Sequence, residues 1–380
     1  MRILFVVNVD WFFVSHRLPI AISLIKTGID VHLACVFTTH KAYLEGLGIN
    51  THPLVISRGG ISPLEKLKSL YSLYRLVKNV NPDLVHLVSI KPVIYGGLIA
   101  RLLGVQKVVA SISGLGFVFI DQSIKAKVIR KIAIFFYRLG LSTENTTVIF
   151  QNTADQSFFV DNKIIFDSQA VLIRGSGVDL NYLSFTPEPE GFPVVMFLAR
   201  FLKDKGIVEF VKASSIVKDS FPSVRFVLVG SVDNDNPNSI STTDLNSWVK
   251  LGLVEDWGYS KNVFSTIRKS NLMVLPSYRE GLPKSLLEAA ACGRAVITSD
   301  VPGCRDAIAS GETGILVNLK NTQMLADAIV QLLQDGPLRK QYGLAGRRLA
   351  EKCFDVKNVV SKHFSIYFEI KKKLRLYERY

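Results

Sequence analysis

The chain has 380 residues, a formal net charge of +14, 48% hydrophobic and 21% charged residues. That is a globular composition in a chain longer than one core usually serves, so two domains are expected. No apolar run reaches the length that spans a bilayer, and the nearest candidate, Val108–Ile120, is interrupted by two glycines.

The N-terminus, MRILFVVNVDWFF, has one basic residue and no small-residue cleavage site, and reads as a first strand over Ile3–Asn8 rather than a signal peptide. A helical stretch follows over Pro19–Lys26, then a strand at Asp30–Cys35, a helix at Thr39–Leu47 and a short strand near Pro53–Ile56. Ser62-Pro63-Leu64-Glu65 opens a long helix running to Asn79. Strands at Leu84–Leu87 and Lys107–Ser111 flank a helix at Val93–Leu103, and Val148–Gln151 and Val171–Arg174 complete the first half. Strands separated by helices imply a parallel, doubly wound sheet.

Between these lies Ile124–Arg138, with five cations and no acid. Its apolar residues recur at helical spacing with the cations expected on the other side, as in an interfacial helix. A core helix with a solvated basic face is the alternative. Nucleic acid is not expected as the partner of the basic charge, because no nucleic-acid motif is present. An anionic membrane surface fits better, through Lys125, Lys127, Arg130 and Lys131, with Lys371–Arg375 as a second basic run.

The segment Leu183–Pro193 carries three prolines and a glycine and reads as the linker. The expected division is 1–186, a linker at 187–193, 194–360, and a last helix over 361–380. The second half repeats the pattern: strand Val194–Leu198, helix Gly206–Lys218, strands Arg225–Val229 and Leu272–Leu275, helix Lys284–Cys292, strand Ala295–Thr298, and a final helical stretch Val356–Lys373. The four cysteines, Cys35, Cys292, Cys304 and Cys353, show no metal spacing, which predicts a reduced, cytosolic chain.

The most informative stretch is residues 271–303, NLMVLPSYREGLPKSLLEAAACGRAVITSDVPG. A strand runs into a Pro-Ser turn, then Glu280-Gly281, then a helix starting near Pro283 and carrying Glu288. Eight positions apart, the two acids are about 80° apart on a helical wheel, so one face would not hold both. Glu280 is therefore expected on the loop before the helix and Glu288 a turn or more inside. Backbone N–H groups of Leu282, Pro283's neighbours Lys284 and Ser285, and the helix dipole favour an anion there. Upstream, Arg200 ends a strand and Lys205-Gly206 opens the next helix, so both cations face the carboxyl end of a sheet, a suitable pair for a diphosphate. Two solvated loop cations are the plainer alternative. Asp233-Asn234-Asp235 is a D-x-D string in a polar loop that looks like a surface turn, and no metal is expected there.

The Glu280–Glu288 stretch resembles the donor site of retaining GT-B glycosyltransferases of family 4, whose pattern P-S-x-x-E-G-x-P-x-x-x-L-E-A-x-A-x-G-x-P-V-I it follows except at Arg294-Ala295. The resemblance implies α/β GT-B architecture: two Rossmann-like domains with a cleft between them, and a last helix crossing back to the first. It implies Glu280, Arg200 and Lys205 as catalytic groups, the two cations holding the diphosphate as it leaves. Glu288, Gly281, Leu282, Pro283, Lys284, Ser285, Gly230, Trp257 and Gly258 would bind the donor. Gly175–Asp179 resembles the turn that closes the first domain.

The first half departs from many relatives: Asn8-Val9-Asp10-Trp11 replaces the usual glycine-rich turn, and Ser113-Gly114 stands where many carry a histidine. His16, expected to open the first helix, could reach the cleft or bond its own backbone. His16, Arg17, Lys91, Ser113 and Gly114 are the acceptor candidates. The strings S-H-R-L-P, K-P-x-x-x-G at Lys91–Gly96, and G-L-G-F-V-F-I-D-Q ending at Asp121-Gln122 are similar to bacterial transferases extending undecaprenyl-diphosphate-linked sugars, α-1,3-N-acetylgalactosaminyltransferases among them. That implies a UDP-sugar donor, a polyprenyl-diphosphate-linked sugar acceptor, metal independence, and a peripheral place on the cytoplasmic face of the inner membrane; a family 4 transferase using GDP-mannose, UDP-glucose or UDP-galactose is the alternative within the family. A non-hydrolysing sugar-nucleotide epimerase shares the architecture but would line its cleft with histidines, and the chain has six in all. A non-catalytic sugar or lipid binder is the third class, and the intact acids and cations speak against it.

Overall fold

The computed structural model describes residues 1–54, 63–116, 119, 123–234 and 236–377, with the side chains of 63–66 and 369–377 also outside it. The chain divides into two compact units, Met1–Ser176 with Lys357–Tyr380, and Gly177–Val356.

The first unit is built on seven parallel strands: β1 (Arg2–Val9), β2 (Asp30–Val36), β3 (Asn50–Pro53), β4 (Leu84–Val88), β5 (Lys107–Ile112), β6 (Thr146–Phe150) and β7 (Ala170–Leu172), in the order β3-β2-β1-β4-β5-β6-β7. The central strands are apolar on both faces, Ile3 to Val7 being fully buried, as a sheet covered twice requires. The coverings are α1 (Asp10–His16), α2 (Leu18–Lys26), α3 (Lys41–Gly46), α4 (Pro63–Val80), α5 (Ile90–Leu102), α6 (Ile124–Leu141) and α7 (Thr153–Asp161). Helices α5 and α6 meet at Gly97 and Gly140, where a Cβ on Gly97 would stand 3.2 Å from the Gly140 carbonyl. The third strand sits earlier than Pro53–Ile56, and residues 55–62, which include the expected helix start at Ser62, lie outside the description.

The second unit has six parallel strands: β8 (Val194–Leu198), β9 (Arg225–Val229), β10 (Glu255–Asp256), β11 (Leu272–Leu275), β12 (Ala295–Ser299) and β13 (Gly314–Val317), ordered β10-β9-β8-β11-β12-β13. Helices α8 (Ile207–Ser220), α9 (Thr242–Lys250), α10 (Val263–Ile267), α11 (Lys284–Ala291), α12 (Thr322–Gln334) and α13 (Gly336–Cys353) pack on it. In both sheets the strand order reverses once, at β1/β4 and at β8/β11, and ligands bind at the carboxyl ends of such a switch point.

The proline-rich segment is part of the second unit, so the division at 186 and 194 is corrected to Ser176/Gly177. Two buried arginines explain this. Arg294, fully buried, donates to the carbonyls of Thr186 (2.7 Å), Pro187 (3.1 Å), Cys292 and Arg268, and to Thr186 Oγ1. Arg339 pairs with Glu188 at 2.7 Å, both side chains below 10% exposure, and Asn271 donates to the Pro189 carbonyl. The segment is a bolted strap.

The chain passes from the first unit to the second at residue 176 and back at 357. Beside these passages Val178 N–H donates to the Phe354 carbonyl (2.8 Å) and Val356 N–H to the Val178 carbonyl (3.0 Å). The last helix, α14 (Val356–Tyr377), then joins the first unit: Val359, Ile366 and Tyr367 enter the core that holds Ile3, Phe5 and Val88. Tyr367 Oη lies 2.6 Å from His86 Nδ1, and His86 Nε2 lies 2.7 Å from Ser111 Oγ. Burial, then Arg17 and His363, hold His86 well below the usual histidine range, so the ring is neutral, one nitrogen donating and the other accepting between the two hydroxyls.

Candidate functional site

At the switch point of the second sheet, two loops from neighbouring strands meet. The loop after β8 makes a single 3-10 turn, Lys203–Lys205, ended by Gly206 in the left-handed region (φ 75°). A Cβ there would stand 2.1 Å from the Pro276 carbonyl, so only glycine lets this turn close on the end of β11. The loop after β11 carries Glu280. Lys205 Nζ donates to Glu280 Oε1 at 2.5 Å, and Ser277 Oγ donates to the same oxygen at 2.8 Å. The pair is mostly enclosed, 20% and 11% exposed. Behind it, Glu280 N–H donates to the Pro302 carbonyl, and Gly303 (φ 82°) approaches so closely that a Cβ would clash with the Glu280 and Gly281 carbonyls.

Pro283 is extended and caps α11, which begins at Lys284, so Glu280 stands on the loop and Glu288 inside the helix as expected. No side-chain bond caps this end. Gly281, Leu282 and Pro283 are buried in the approach, with Ser285 in the first turn. Lys284 Nζ lies 3.7 Å from Glu288 Oε1. Burial raises the Glu288 carboxyl above its ordinary range, and Lys284 opposes that shift. Arg200 is at the same sheet edge, paired with Asp233 Oδ2 at 2.9 Å. Asp233 of the D-x-D string is thus an arginine partner, and Asp235 lies outside the described residues. Gly230 ends β9 against Ala199, whose carbonyl would be 2.0 Å from a Cβ, and its N–H donates to the Gly258 carbonyl.

Trp257 is split between two places. Its N–H donates to the Leu228 carbonyl at that edge, but its indole turns away, its Nε1 donating to Glu255 with Arg225 and Lys269 over the ring. The indole lines a cavity of about 860 Å³ that includes Val194 and Arg225, the first residues of β8 and β9. Only the backbone of Trp257 stands at the edge of the site, the kind of contact the resemblance implies for Asp256-Trp257-Gly258.

In the first unit, the carboxyl edge of β1, β4 and β5 gathers Asn8, Ser89, Lys91, Ser113 and Gly114. Asn8 Oδ1 and Ser113 Oγ are buried without a hydrogen-bond partner, and Ser89 is held at φ 78°, a costly conformation for a residue other than glycine. Asn8 and Ser89 were missed; Asn8 ends a long apolar strand, which was the available signal. Asp10, fully buried, replaces the glycine-rich turn with an anchor, accepting from Thr38 Oγ1 (2.7 Å) and from the N–H groups of Trp11, Thr38, Thr39 and His40. Burial works to raise its carboxyl and these bonds outweigh it, holding the group near 2.

Two acceptor candidates are placed differently from expectation. His16 closes α1 rather than opening a helix, its Nδ1 facing the Phe12 carbonyl (3.2 Å) and its ring stacked on Phe12. Arg17 is 2% exposed, donates to the His16 carbonyl, and faces Tyr367, His86 and His363 inside the core.

The basic helix α6 also differs from expectation. It buries Ala126, Tyr137, Gly140 and Leu141, and its outward side is apolar as well as cationic. Ile124, Val128, Ile132, Phe135 and Leu139, 41–82% exposed, fall within about 80° of arc, with Lys127 and Lys131 on one side and Lys125 on the other. Arg130 is half-buried, 5.6 Å over the Phe119 ring. Among the described residues no helix is long and apolar enough to cross a membrane.

The profile of the family described as "Glycosyl transferases group 1" matches residues 181–349, and that of "Glycosyl transferase 4-like" matches 2–152. The chain is 29% identical to the N,N'-diacetylbacillosaminyl-diphospho-undecaprenol alpha-1,3-N-acetylgalactosaminyltransferase of Campylobacter jejuni, over 100% of this chain and 99% of that one. It is 26% identical to the UDP-Gal:alpha-D-GlcNAc-diphosphoundecaprenol alpha-1,3-galactosyltransferase of Escherichia coli, over 80% and 78% of the two chains. Among solved structures, HepE of Anabaena in complex with UDP and glucose superposes with a TM-score of 0.77 at 18% identity, covering 97% of this chain and 99% of that one.

Proposed function

The chain belongs to the family 4 GT-B glycosyltransferases, and from that premise we propose that it moves a sugar, N-acetylgalactosamine or a related hexosamine or hexose, from a UDP-sugar to an undecaprenyl-diphosphate-linked saccharide. The observation that carries the reading is the Lys205–Glu280 pair, held at the switch point with Arg200 on the same edge. Arg200 and Lys205 take the charge that grows on the departing diphosphate, the interaction that most lowers such a barrier. Glu280 fixes Lys205 and, with Glu288, offers carboxylates to donor hydroxyls. The backbone around Gly281–Ser285, Gly230 and Gly258 holds phosphate and base. The anomeric configuration is retained, by a front-face displacement in which the leaving diphosphate takes the acceptor proton. The charge comes from side chains, so turnover should survive a chelator.

Asn8, Ser89, Lys91, Ser113 and Gly114 form the acceptor edge of the first unit, where Asn8 Oδ1 can accept from, and Ser113 Oγ accept from or donate to, a sugar hydroxyl. Helix α6 seats the enzyme on an anionic leaflet, the cytoplasmic face of a bacterial inner membrane, where a lipid-linked acceptor lies. The test is a screen of nucleotide-sugar donors against a polyprenyl-diphosphate-linked sugar, read by the mass of the extended lipid and by NMR of the new linkage. A β linkage from an α-linked donor refutes the mechanism. Epimerised UDP-sugar without transfer refutes the function.

A further inference from the structure

We propose that Tyr278 and Glu209 are positioning residues that set the Lys205–Glu280 pair for transfer, a proposal that rests on reading that pair as the donor-phosphate site. Lys205 and Glu280 belong to loops from two different strands, so their separation depends on what ties the loops together. The ties run through Tyr278. Its N–H donates to the Asp204 carbonyl at 2.9 Å, next to Lys205. Its Oη donates to Glu209 Oε1 at 2.8 Å, in the first turn of α8. Tyr278 lies two residues before Glu280, and Glu209 four after Lys205, so this one side-chain bond brackets the pair on both loops.

The chemistry of the contact is that of an orienting device. Burial, then the hydrogen bond to Glu209 and the charges of Glu209 and Asp204, push the Tyr278 phenol well above its ordinary range, so it stays a donor to a carboxylate. Such a bond is short and directional. It is costly as mere glue: Glu209 Oε2 and Asp204 Oδ1 are both buried with no hydrogen-bond partner. An apolar pair would join the loops without two carboxylates close to a site for an anion. Lys320 Nζ stands over the ring of Tyr278, 4.7 Å from its centre.

The experiment is a kinetic double-mutant cycle with whichever UDP-sugar the donor screen shows to be turned over. Tyr278→Phe keeps the ring and removes the bond. We expect kcat to fall about tenfold, with the donor KM within about threefold and the melting temperature nearly unchanged, the pattern of an interaction needed in the transition state. Glu209→Ala should match it, and Glu209→Gln, which keeps an acceptor, should recover most of the loss. In a Lys205→Ala background, Tyr278→Phe should cost less than about twofold more, because the group it aims is gone. An unchanged kcat in Tyr278→Phe, a loss confined to KM, or the full tenfold loss repeated on Lys205→Ala would overturn the proposal. Undiminished kcat in Lys205→Ala itself would instead remove the donor-site reading, and this inference with it.

Discussion

The outward stripe of α6 makes a quantitative prediction about membrane binding. Fully burying a Val, Leu, Ile or Phe side chain is worth about 2 kcal/mol. Weighting that by the exposed fractions of Ile124 (82%), Val128 (51%), Ile132 (51%), Phe135 (59%) and Leu139 (41%) gives about 6 kcal/mol for full immersion and about 3 for half. Lys125, Lys127 and Lys131 add about 3 kcal/mol on an anionic surface. Arg130 is left out because it is turned onto Phe119. The two contributions are comparable, so each should carry a part of the binding that survives loss of the other. Changing the three lysines to Gln should weaken association with anionic vesicles about a hundredfold and abolish its dependence on the anionic lipid fraction. Ile132→Ser with Phe135→Ser should weaken it about sixfold at half immersion and about fortyfold at full immersion, and this loss should persist at high salt. Vesicle flotation across a lipid titration measures both. Wild-type binding fully released by moderate salt would refute the insertion of the stripe, and a double serine variant that floats like wild type would refute the helix as the contact.

Three further outcomes are expected. Arg200→Ala or Lys205→Ala should lower kcat about a hundredfold or more, from the roughly 2.7–4 kcal/mol that a preorganised charge-stabilising group provides, and steady-state kinetics with the donor separates this from a KM effect. Asp10→Asn should cost about 2 kcal/mol near neutral pH, because the carboxyl is held near 2 against an ordinary 3.8. A depressed carboxyl stabilises above its unfolded value and loses that contribution as pH falls, so the gap to wild type in urea melts should halve by about pH 3; a gap constant with pH would count against it. Arg294→Leu should destabilise the second unit by about 3 kcal/mol or more, since it strands several buried carbonyls at once, and an unchanged calorimetric transition would show that the strap is held by other means.

The alternation of apolar strands and helices made both sheets legible, and the spacing of Pro283 from Glu280 correctly placed one acid on a loop and the other in a helix. What stayed hidden depends on chain segments far apart in sequence. Leu183–Pro193 has the composition of a free linker, and only Arg294 and Arg339, more than a hundred residues on, make it a strap. His16 and Arg17 have the chemistry of a binding loop, yet α1 begins at Asp10, so His16 ends it against Phe12 and Arg17 caps it from within the core. In α6 periodicity gave the helix, but not which side faces out: Gly97 and Gly140 let the small-residue face sink against α5, leaving large apolar side chains outside.

The placement of α14 in the first unit has a consequence for how the chain is made. During synthesis, residues 1–176 emerge with every strand of their sheet, but the helix that seats Val359, Ile366 and Tyr367 among Ile3, Phe5 and Val88 is encoded after the whole of the second unit. The second unit, contiguous from Gly177 to Val356, can close on the ribosome while the first still has an apolar groove open and His86 without its tyrosine. Early termination near residue 355 would therefore damage the half of the protein translated first, and spare the half translated last.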